Sequence, residues 1–352
     1  MCGFYGVFSL NQNIKIKSQD SIDLNHRGPD STGIFFDKNL YCKFFRLKIL
    51  GNNQSNQPMK SYDGRWIIML NGEIYNYKEL AVELKKISLI KYGDTRVLTE
   101  LIAKNGIESL KKLNGMFAIV IYDILKKKLY LVRDRFGIKP IYYSKIKDTL
   151  FFSSEIKSIS KMIKPSISKK SVEDYIISEL YPKCPNTFFE KIYEVKPATF
   201  CKYFNKKFSE HKYFDLEESV NKIRDNVSLD YIDDLLTNSI KLRFRSNLPV
   251  NLHFSGGIDS TALLVKIKEI FGNEMPINLF CAKFSNNKNQ DFFKANNIAK
   301  YFNEKLNYKN INIHRIPQLA EEVQYFLDEP YGGIPLISMF ELNKYEKKKI
   351  IL

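Results

Sequence analysis

The sequence predicts two parts of different architecture: an α+β layered domain, then an α/β domain built on a parallel sheet. Three observations predict it. Up to about Phe204 the chain is mostly short strand-like runs separated by Asn-Gly, Asp and Gly turns. Residues 205–226 are polar, charged and irregular, as a linker would be. Beyond them the pattern changes to strand, glycine turn, helix and strand, the mark of parallel pairing. The expected divisions are therefore 2–204, a linker at 205–226, and 227–352.

In the first part, Ile67–Leu70, Met116–Tyr122, Lys128–Val132, Ile141–Tyr143 and Leu150–Phe152 are rich in β-branched, aromatic and large aliphatic residues and read as strands. Tyr77–Lys86 reads as a helix. So does Thr95–Lys104, where Asp94 or Thr95 can cap and Val97, Leu98, Leu101 and Ile102 share one face. Stacked sheets with helices outside would bury these apolar faces. In the second part Ile232, Leu235, Leu236 and Ile240 mark a helix. Pro249–Phe254 reads as a strand with Val250, Leu252 and Phe254 on one side. The helix Ser260–Phe271, closed by Gly272, the strand Ile277–Phe284 and a helix around Phe292–Phe302 follow.

Composition bounds the function. The chain has 352 residues, 44% hydrophobic and 14% aromatic, ample for buried cores and unlike a disordered chain. No apolar run approaches the roughly 20 residues of a membrane helix. Met1 is not followed by a basic segment and an apolar stretch, so no signal peptide is expected and the cytoplasm is the expected location. The five cysteines, Cys2, Cys42, Cys184, Cys201 and Cys281, are scattered and form no CxxC pair. That argues against a disulfide framework or a zinc site and fits a reducing compartment. The net charge of +16 raises the question of nucleic acid. The lysines are spread along the chain, runs such as Lys126–Lys128 and Lys347–Lys349 are short, and no nucleic-acid signature stands beside them. Neither nucleic acid nor membrane is an expected partner, and a basic surface would serve to steer anionic substrates.

A cysteine directly after Met1 has a distinct chemistry. Its small side chain allows removal of the initiator methionine, which leaves Cys2 with a free α-amine. An α-amine titrates at about 7.7–8.0, so a neutral fraction can take the thiol proton, and nucleophile and base share one residue. By itself a second-position cysteine carries little weight. Further segments add to it. Cys2–Phe8, His26-Arg27-Gly28-Pro29-Asp30, Asn71-Gly72-Glu73-Ile74-Tyr75-Asn76 and Gly93-Asp94-Thr95 together resemble the class II, N-terminal-nucleophile glutamine amidotransferases. Arg133–Pro140 and Phe152–Lys157 match the variant of that domain found in asparagine synthetases. The segments come in the family's order.

The resemblance implies a four-layer αββα N-terminal-nucleophile hydrolase domain. It implies that Asn71 donates its side-chain amide, and Gly72 its backbone N–H, to the oxyanion formed when Cys2 attacks the glutamine amide carbon. Arg46 is implied to bind the glutamine α-carboxylate, within a segment that brings Leu47, Ile49 and Leu50 to the same site. Asp94 is implied to hold the α-ammonium group, and Glu73 to contribute through its backbone. Structural readings stand beside these: Asn71-Gly72 is also a common hairpin turn, and Asp94 can also cap the next helix. His26–Asp30 is read as a loop shaping the pocket, and Arg133–Pro140 as a structural segment near a face between the domains.

Ser255-Gly256-Gly257-Ile258-Asp259-Ser260-Thr261 lies between the predicted strand and helix. Such a turn presents consecutive backbone N–H groups, and the helix N-terminus adds positive potential, a receptor for phosphate. It is not the Walker pattern. It resembles the pyrophosphate loop of enzymes that cleave ATP to AMP and pyrophosphate, so an incomplete α/β parallel-sheet ATP-pyrophosphatase domain is expected. Ser255, Gly256, Gly257 and Ser260 would bind phosphate. Asp259 would repel it without a cation between, so Mg²⁺ is implied, with Asp259 a ligand. By the same resemblance His253 and Ala282 would line the adenosine pocket, while Phe254 and Cys281 face the core.

The implied reaction uses two sites. Cys2 forms a γ-glutamyl thioester and releases ammonia; the second domain adenylates the β-carboxylate of aspartate with ATP, and ammonia displaces AMP. A dry path would join them, because ammonia in water becomes ammonium. Glutamine, aspartate and ATP are the expected partners, with a homodimer as one assembly. Asp328-Glu329-Pro330 followed by Ile350–Leu352 matches the approach to a further family loop, so the synthetase half is expected to be cut short. Other readings are a relative that amidates a different carboxylate, and a chain that hydrolyses glutamine only.

Overall fold

A computed structural model describes residues 1–10, 22–51, 55–221, 227–245, 250–272, 277–285, 290–330, 332–345 and 350–351. Contacts divide the chain into two compact units, Met1–Arg224 and Asp225–Leu352.

The first unit holds two antiparallel sheets. One contains β1 (Gly3–Ser9), β2 (Ser31–Phe36), β3 (Leu40–Arg46), β8 (Tyr142–Ile146), β9 (Thr149–Ser153) and β10 (Tyr193–Glu194), in the order β10-β8-β9-β1-β3-β2. The other contains β4 (Met59–Lys60), β5 (Trp66–Ile74), β6 (Gly115–Asp123), β7 (Lys128–Arg133), β11 (Thr199–Phe204) and β12 (Lys207–Lys212), in the order β12-β11-β7-β6-β5-β4. Strand alternation decides the layers. Met69, Val120 and Leu131 point from the second sheet onto Phe4, Phe8, Phe44 and Phe152 of the first. Ile68, Leu70, Ile119 and Ile121 point the other way, onto helices α1 (Tyr77–Glu83) and α2 (Asp94–Asn105). This explains the unbroken apolar run in β5, which is covered on both faces. Against the outside of the first sheet, Ile156 and Ile159 of α3 (Ile156–Ile163) pack with Ile192, Tyr142 and Phe151. Helix α4 (Lys169–Ser178) follows. The order is helix, sheet, sheet, helix, the four-layer arrangement expected.

Some bounds differ from expectation. The helix begun at Tyr77 stops at Glu83 rather than Lys86, because Lys85 takes φ +57° before a 3₁₀ turn at Ile87–Tyr92. The strand expected at Ile141–Tyr143 runs Tyr142–Ile146. Much of 205–226 is not a linker. Lys207–Lys212 forms β12, paired antiparallel with β11 from Phe204↔Lys207 to Thr199↔Lys212, and Leu216–Val220 forms helix α5. An edge strand with one wet face can be polar, so KFSEHK gives no hydrophobic signal. The end of that stretch, 222–226, lies outside the described residues.

The second unit has a parallel sheet in the order β15-β14-β13-β16: Leu306–Ile311, Ile277–Phe284, Val250–His253 and Ile350–Ile351. Its helices are α6 (Leu229–Arg243), α7 (Ile258–Phe271), α8 (Gln290–Tyr301), α9 (Ile316–Leu327) and α10 (Ile334–Tyr345). Pro249, expected to open the strand, and Lys347–Lys349 lie outside the described residues. Among the described residues no helix is long and apolar enough to cross a membrane.

Candidate active site

Cys2 stands at the entrance to β1. The pairing of β1 with β3 sets Gly3 opposite Phe45, and so brings the chain just beyond β3 alongside Cys2. There Leu47 N donates to the Cys2 sulfur at 3.3 Å, and the thiol faces Leu47 O at 3.6 Å. Burial raises the thiol pKa, and the Leu47 amide only partly offsets this. The resting group is thus a thiol, which needs a base before it can attack.

The terminal amine lies close enough to the thiol for the two to interact electrostatically. Burial lowers the Met1 amine to about 6; the Cys2 thiol opposes that shift, and the charges of Arg27 and Lys139 reinforce it. In this chain the amine belongs to Met1 and not to Cys2.

A cavity opens over the sulfur. Every residue expected to bind glutamine lines it: Cys2, Arg46, Leu47, Ile49, Leu50, Asn71, Gly72, Glu73 and Asp94. Asn71 is fully buried, and among the described residues neither its side-chain nitrogen nor its oxygen has a hydrogen-bond partner. A buried amide of this kind is expected to find a partner, and one lining a cavity can offer its N–H to an oxygen bound there. Gly72 has φ +139°, and a Cβ there would lie 2.0 Å from Met116 O. Only glycine fits, and β5 passes close against β6 at that point. The Asn71-Gly72 pair therefore lies mid-strand, between Leu70 and Glu73 of β5, and is not a hairpin turn.

Asp94 opens α2 and is nearly buried. Its Oδ2 accepts from Ile74 N at 3.0 Å and its Oδ1 from Thr95 N at 2.7 Å. Burial raises its pKa, and these bonds pull it back toward the charged form. The N-cap of α2 is Gly93, with no side-chain cap, so the cap expected from Asp94 or Thr95 is not made; the Asp94 carboxylate serves Ile74 N and lines the pocket instead. Arg46, also nearly buried, is aimed by Asn56 Oδ1 at 2.9 Å and Leu50 O at 3.1 Å.

The loop His26–Asp30 acts on the nucleophile directly. Arg27 Nε donates to Cys2 O at 3.0 Å, and its NH1 reaches Glu155 Oε1 at 2.9 Å. Glu155 also meets His26 Nε2 at 2.7 Å and Lys157 Nζ at 2.6 Å. Burial alone would raise the Glu155 pKa; the His26 hydrogen bond and the Arg27 charge outweigh it and hold the carboxyl at about 2.

Several lining residues were not expected: Met1, Ser55, Gln57, Leu70, Thr95, Met116 and Lys139. Gln57 clamps β5 beside Asn71, accepting from Leu70 N at 2.6 Å and donating to Leu70 O at 3.3 Å. Nothing local in the sequence marks it. Lys139 belongs to Arg133–Pro140, a segment expected to be structural. Most of that segment is: Asp134 accepts from the backbone of Phe117, Phe136, Ile138 and Lys139, and Arg133 pairs with Glu194.

In the second unit Ser255–Gly257 connects β13 to α7. Gly256 has φ +71°, and a Cβ would lie 2.6 Å from Ala295 N. Ser255 Oγ accepts from Gly257 N at 3.3 Å, and Ser260 Oγ donates to Gly257 O at 3.2 Å. Ser255, Gly257 and Asp259 are exposed, so the turn and the first turn of α7 are open to a ligand. His253 pairs with Phe280 on the next strand, two residues before Ala282. Ala282 packs against the cluster of Ile311, Leu319, Val323 and Ile337. Phe254 and Cys281 are buried, as expected. Among the described residues no three or more His, Cys, Asp or Glu side chains gather as a metal site.

A family model described as a glutamine amidotransferase domain matches residues 1–214, and one described as asparagine synthase matches residues 231–351. Among curated proteins of Bacillus subtilis (strain 168), glutamine-hydrolyzing asparagine synthetase 1 is 32% identical over 99% of this chain and 56% of its own. Asparagine synthetase 2 is 29% identical over 99% and 49%, and asparagine synthetase 3 is 26% identical over 84% and 50%. The chain spans about half the length of these relatives.

Proposed function

The chain belongs to the glutamine amidotransferase domain family, and from that premise we propose that it carries the glutamine-hydrolysing site and the nucleotide loop of a glutamine-dependent asparagine synthetase. The observation that carries the proposal is the buried, unpartnered Asn71 amide in the same cavity as Cys2, Arg46 and Asp94.

The residues divide the work. The Arg46 guanidinium binds the α-carboxylate of glutamine, and the Asp94 carboxylate binds its α-ammonium group. The side-chain amide carbon then lies over Cys2. With Met1 removed, the neutral α-amine of Cys2 takes the thiol proton, and the sulfur attacks. The oxyanion that forms meets the Asn71 amide and the Gly72 N–H. The amine returns its proton to the departing nitrogen, ammonia leaves, and a γ-glutamyl thioester stays on Cys2. Water attacking the thioester gives glutamate and restores the thiol.

In the second unit Ser255, Gly256, Gly257 and Ser260 would cradle the pyrophosphate of ATP at the start of α7. One exposed carboxylate together with phosphate oxygens and water is a normal Mg²⁺ environment, so Asp259 suits an ion carried in with the nucleotide. Such an ion would offset phosphate charge. His253 and Ala282 would flank the adenosine. Ammonia would then be taken up by aspartate activated as its β-aspartyl adenylate, giving asparagine, AMP and pyrophosphate. A cytoplasmic setting suits the free cysteines, above all Cys2, which has to stay reduced.

Treating the protein with a glutamine-mimicking electrophile and mapping the product by mass tests the site. The label is expected on Cys2, on a chain lacking Met1. Label elsewhere, or labelling of a chain that keeps Met1, rejects the mechanism. Glutamine-supported asparagine formation from aspartate and ATP by the whole protein tests the acceptor.

A further inference from the structure

We propose that Lys139 is a positioning residue of the glutamine-hydrolysing pocket: its buried ammonium group reaches Met1 at the chain terminus, and its charge adds to the burial that keeps the α-amine of Cys2 free of a proton. The inference rests on the reading that this amine is the base.

Lys139 lines the same cavity as Met1 and Cys2 and is 6% exposed. Its backbone is held on both sides. Asp134 Oδ2 accepts from Lys139 N at 2.9 Å, and Arg133 Nε donates to Lys139 O at 3.2 Å. With Ile138 N also on Asp134 Oδ1 at 3.0 Å, the loop has little freedom to swing the side chain away. The only hydrogen bond of the ammonium group among the described residues is to Met1 Sδ, at 2.9 Å. A thioether is a weak acceptor, and it leaves with Met1. The mature protein then has a buried ammonium group beside its new terminus. A buried charge without a partner is costly, and burial lowers the Lys139 pKa accordingly.

The charged groups around the terminus are few. Burial is the main cause that disfavours a positive charge on the Met1 amine; Arg27 and then Lys139 disfavour it further, whereas the Cys2 thiol and Asp30 favour it. Around Lys139 itself, burial and Arg27 disfavour its charge, and Glu73, Asp134 and the Cys2 thiol favour it. Arg27 is ion-paired with Glu155 at 2.9 Å, whereas Lys139 makes no ion pair among the described residues. Lys139 is therefore the cation whose field is least cancelled by a direct partner.

The test is the pH profile of kcat/KM for glutamine hydrolysis in the whole protein, in wild type, Lys139→Met and Lys139→Arg. Activity rises with pH as the amine loses its proton. Removing a nearby cation raises the amine pKa, so the acid limb of Lys139→Met is expected to move to higher pH by on the order of one unit. At a pH on that limb this reads as a roughly tenfold loss, while the plateau stays close to wild type and Lys139→Arg follows wild type. An acid limb that does not move, or a loss equal at every pH, overturns the proposal. Should Lys139→Met fail to fold, the pH dependence of acylation of the Cys2 amine in the wild-type protein decides. Titration at or above the ordinary range of about 7.7–8.0 overturns the proposal. The electrophile experiment separates the two levels. Label on Cys2 with an unmoved limb removes Lys139 alone, whereas no label on Cys2 removes the base reading itself.

Discussion

Asn71 buries an amide whose two polar atoms have no hydrogen-bond partner among the described residues. Burying such groups costs about 1–3 kcal/mol unless something pairs with them, so the fold gains little from this side chain, and its proposed use is the oxyanion. Asn71→Ala is therefore expected to lower kcat for glutamine hydrolysis by about 10²–10³ without lowering Tm. A steady-state assay beside a thermal melt checks both; a marked fall in Tm would make the amide structural. Glu155 presents the opposite case, a buried carboxylate fully engaged. Its folded pKa of about 2 lies below the ordinary value of 4.5. A depressed carboxyl pKa stabilises the fold above the unfolded value and loses that contribution as pH falls toward the folded one. Glu155→Gln should cost roughly 3 kcal/mol at neutral pH, and the gap to wild type should close as pH falls from 4.5 to about 2. Urea unfolding across that range measures it. Cys2, Arg46, Asn71 and Asp94 were legible in sequence because each lies in a short motif tied to its chemistry. Gln57 and Lys139 were not: one acts through a clamp on a distant strand, and the other sits in a segment whose neighbours are structural.

At the scale of elements, β5 is the part on which the pocket depends. It carries Asn71 and Gly72, is pressed against β6, and is gripped by Gln57. Gly72→Ala would drive a Cβ into the Met116 carbonyl at 2.0 Å while keeping φ at +139°. A loss of about 3 kcal/mol or more is expected, visible as a lower urea midpoint, and an unchanged midpoint would mean that β6 yields freely. Gln57→Leu should leave both Leu70 backbone groups without the side chain that serves them, costing about 1–3 kcal/mol. It should also lower glutaminase activity, since Asn71 is the next residue. Apolar strands covered on both faces, such as β5, β6 and β7, could be read from the sequence because their cores demand long hydrophobic runs. The polar edge strand β12 could not, since hydrogen bonding to β11 decides it and its side chains give no apolar signal.

At the scale of the whole molecule, the apolar clusters of the sandwich draw only on residues up to Phe214, and the cluster of Ile311, Leu319, Val323 and Ile337 lies wholly in the second unit. Each unit thus has its own core. A fragment covering 1–224 is expected to fold cooperatively and to hydrolyse glutamine. Circular dichroism melting and glutamate release measure this, and an unfolded fragment would show that the first unit needs the second. The two-part organisation was legible because the strand pattern changes its period after the boundary; the boundary itself was not, because strand and helix continue into the stretch that looked like a linker. Met1 bears on how the protein first becomes active. It lines the pocket with Cys2, and burial holds its terminal amine at about 6, so on the proposed mechanism the position of that amine relative to the sulfur decides when attack can begin. A residue kept ahead of Cys2 is expected to leave a folded protein with little glutaminase activity, because the terminal amine then lies one residue away from the sulfur it would deprotonate, and glutamate release beside a thermal melt measures this.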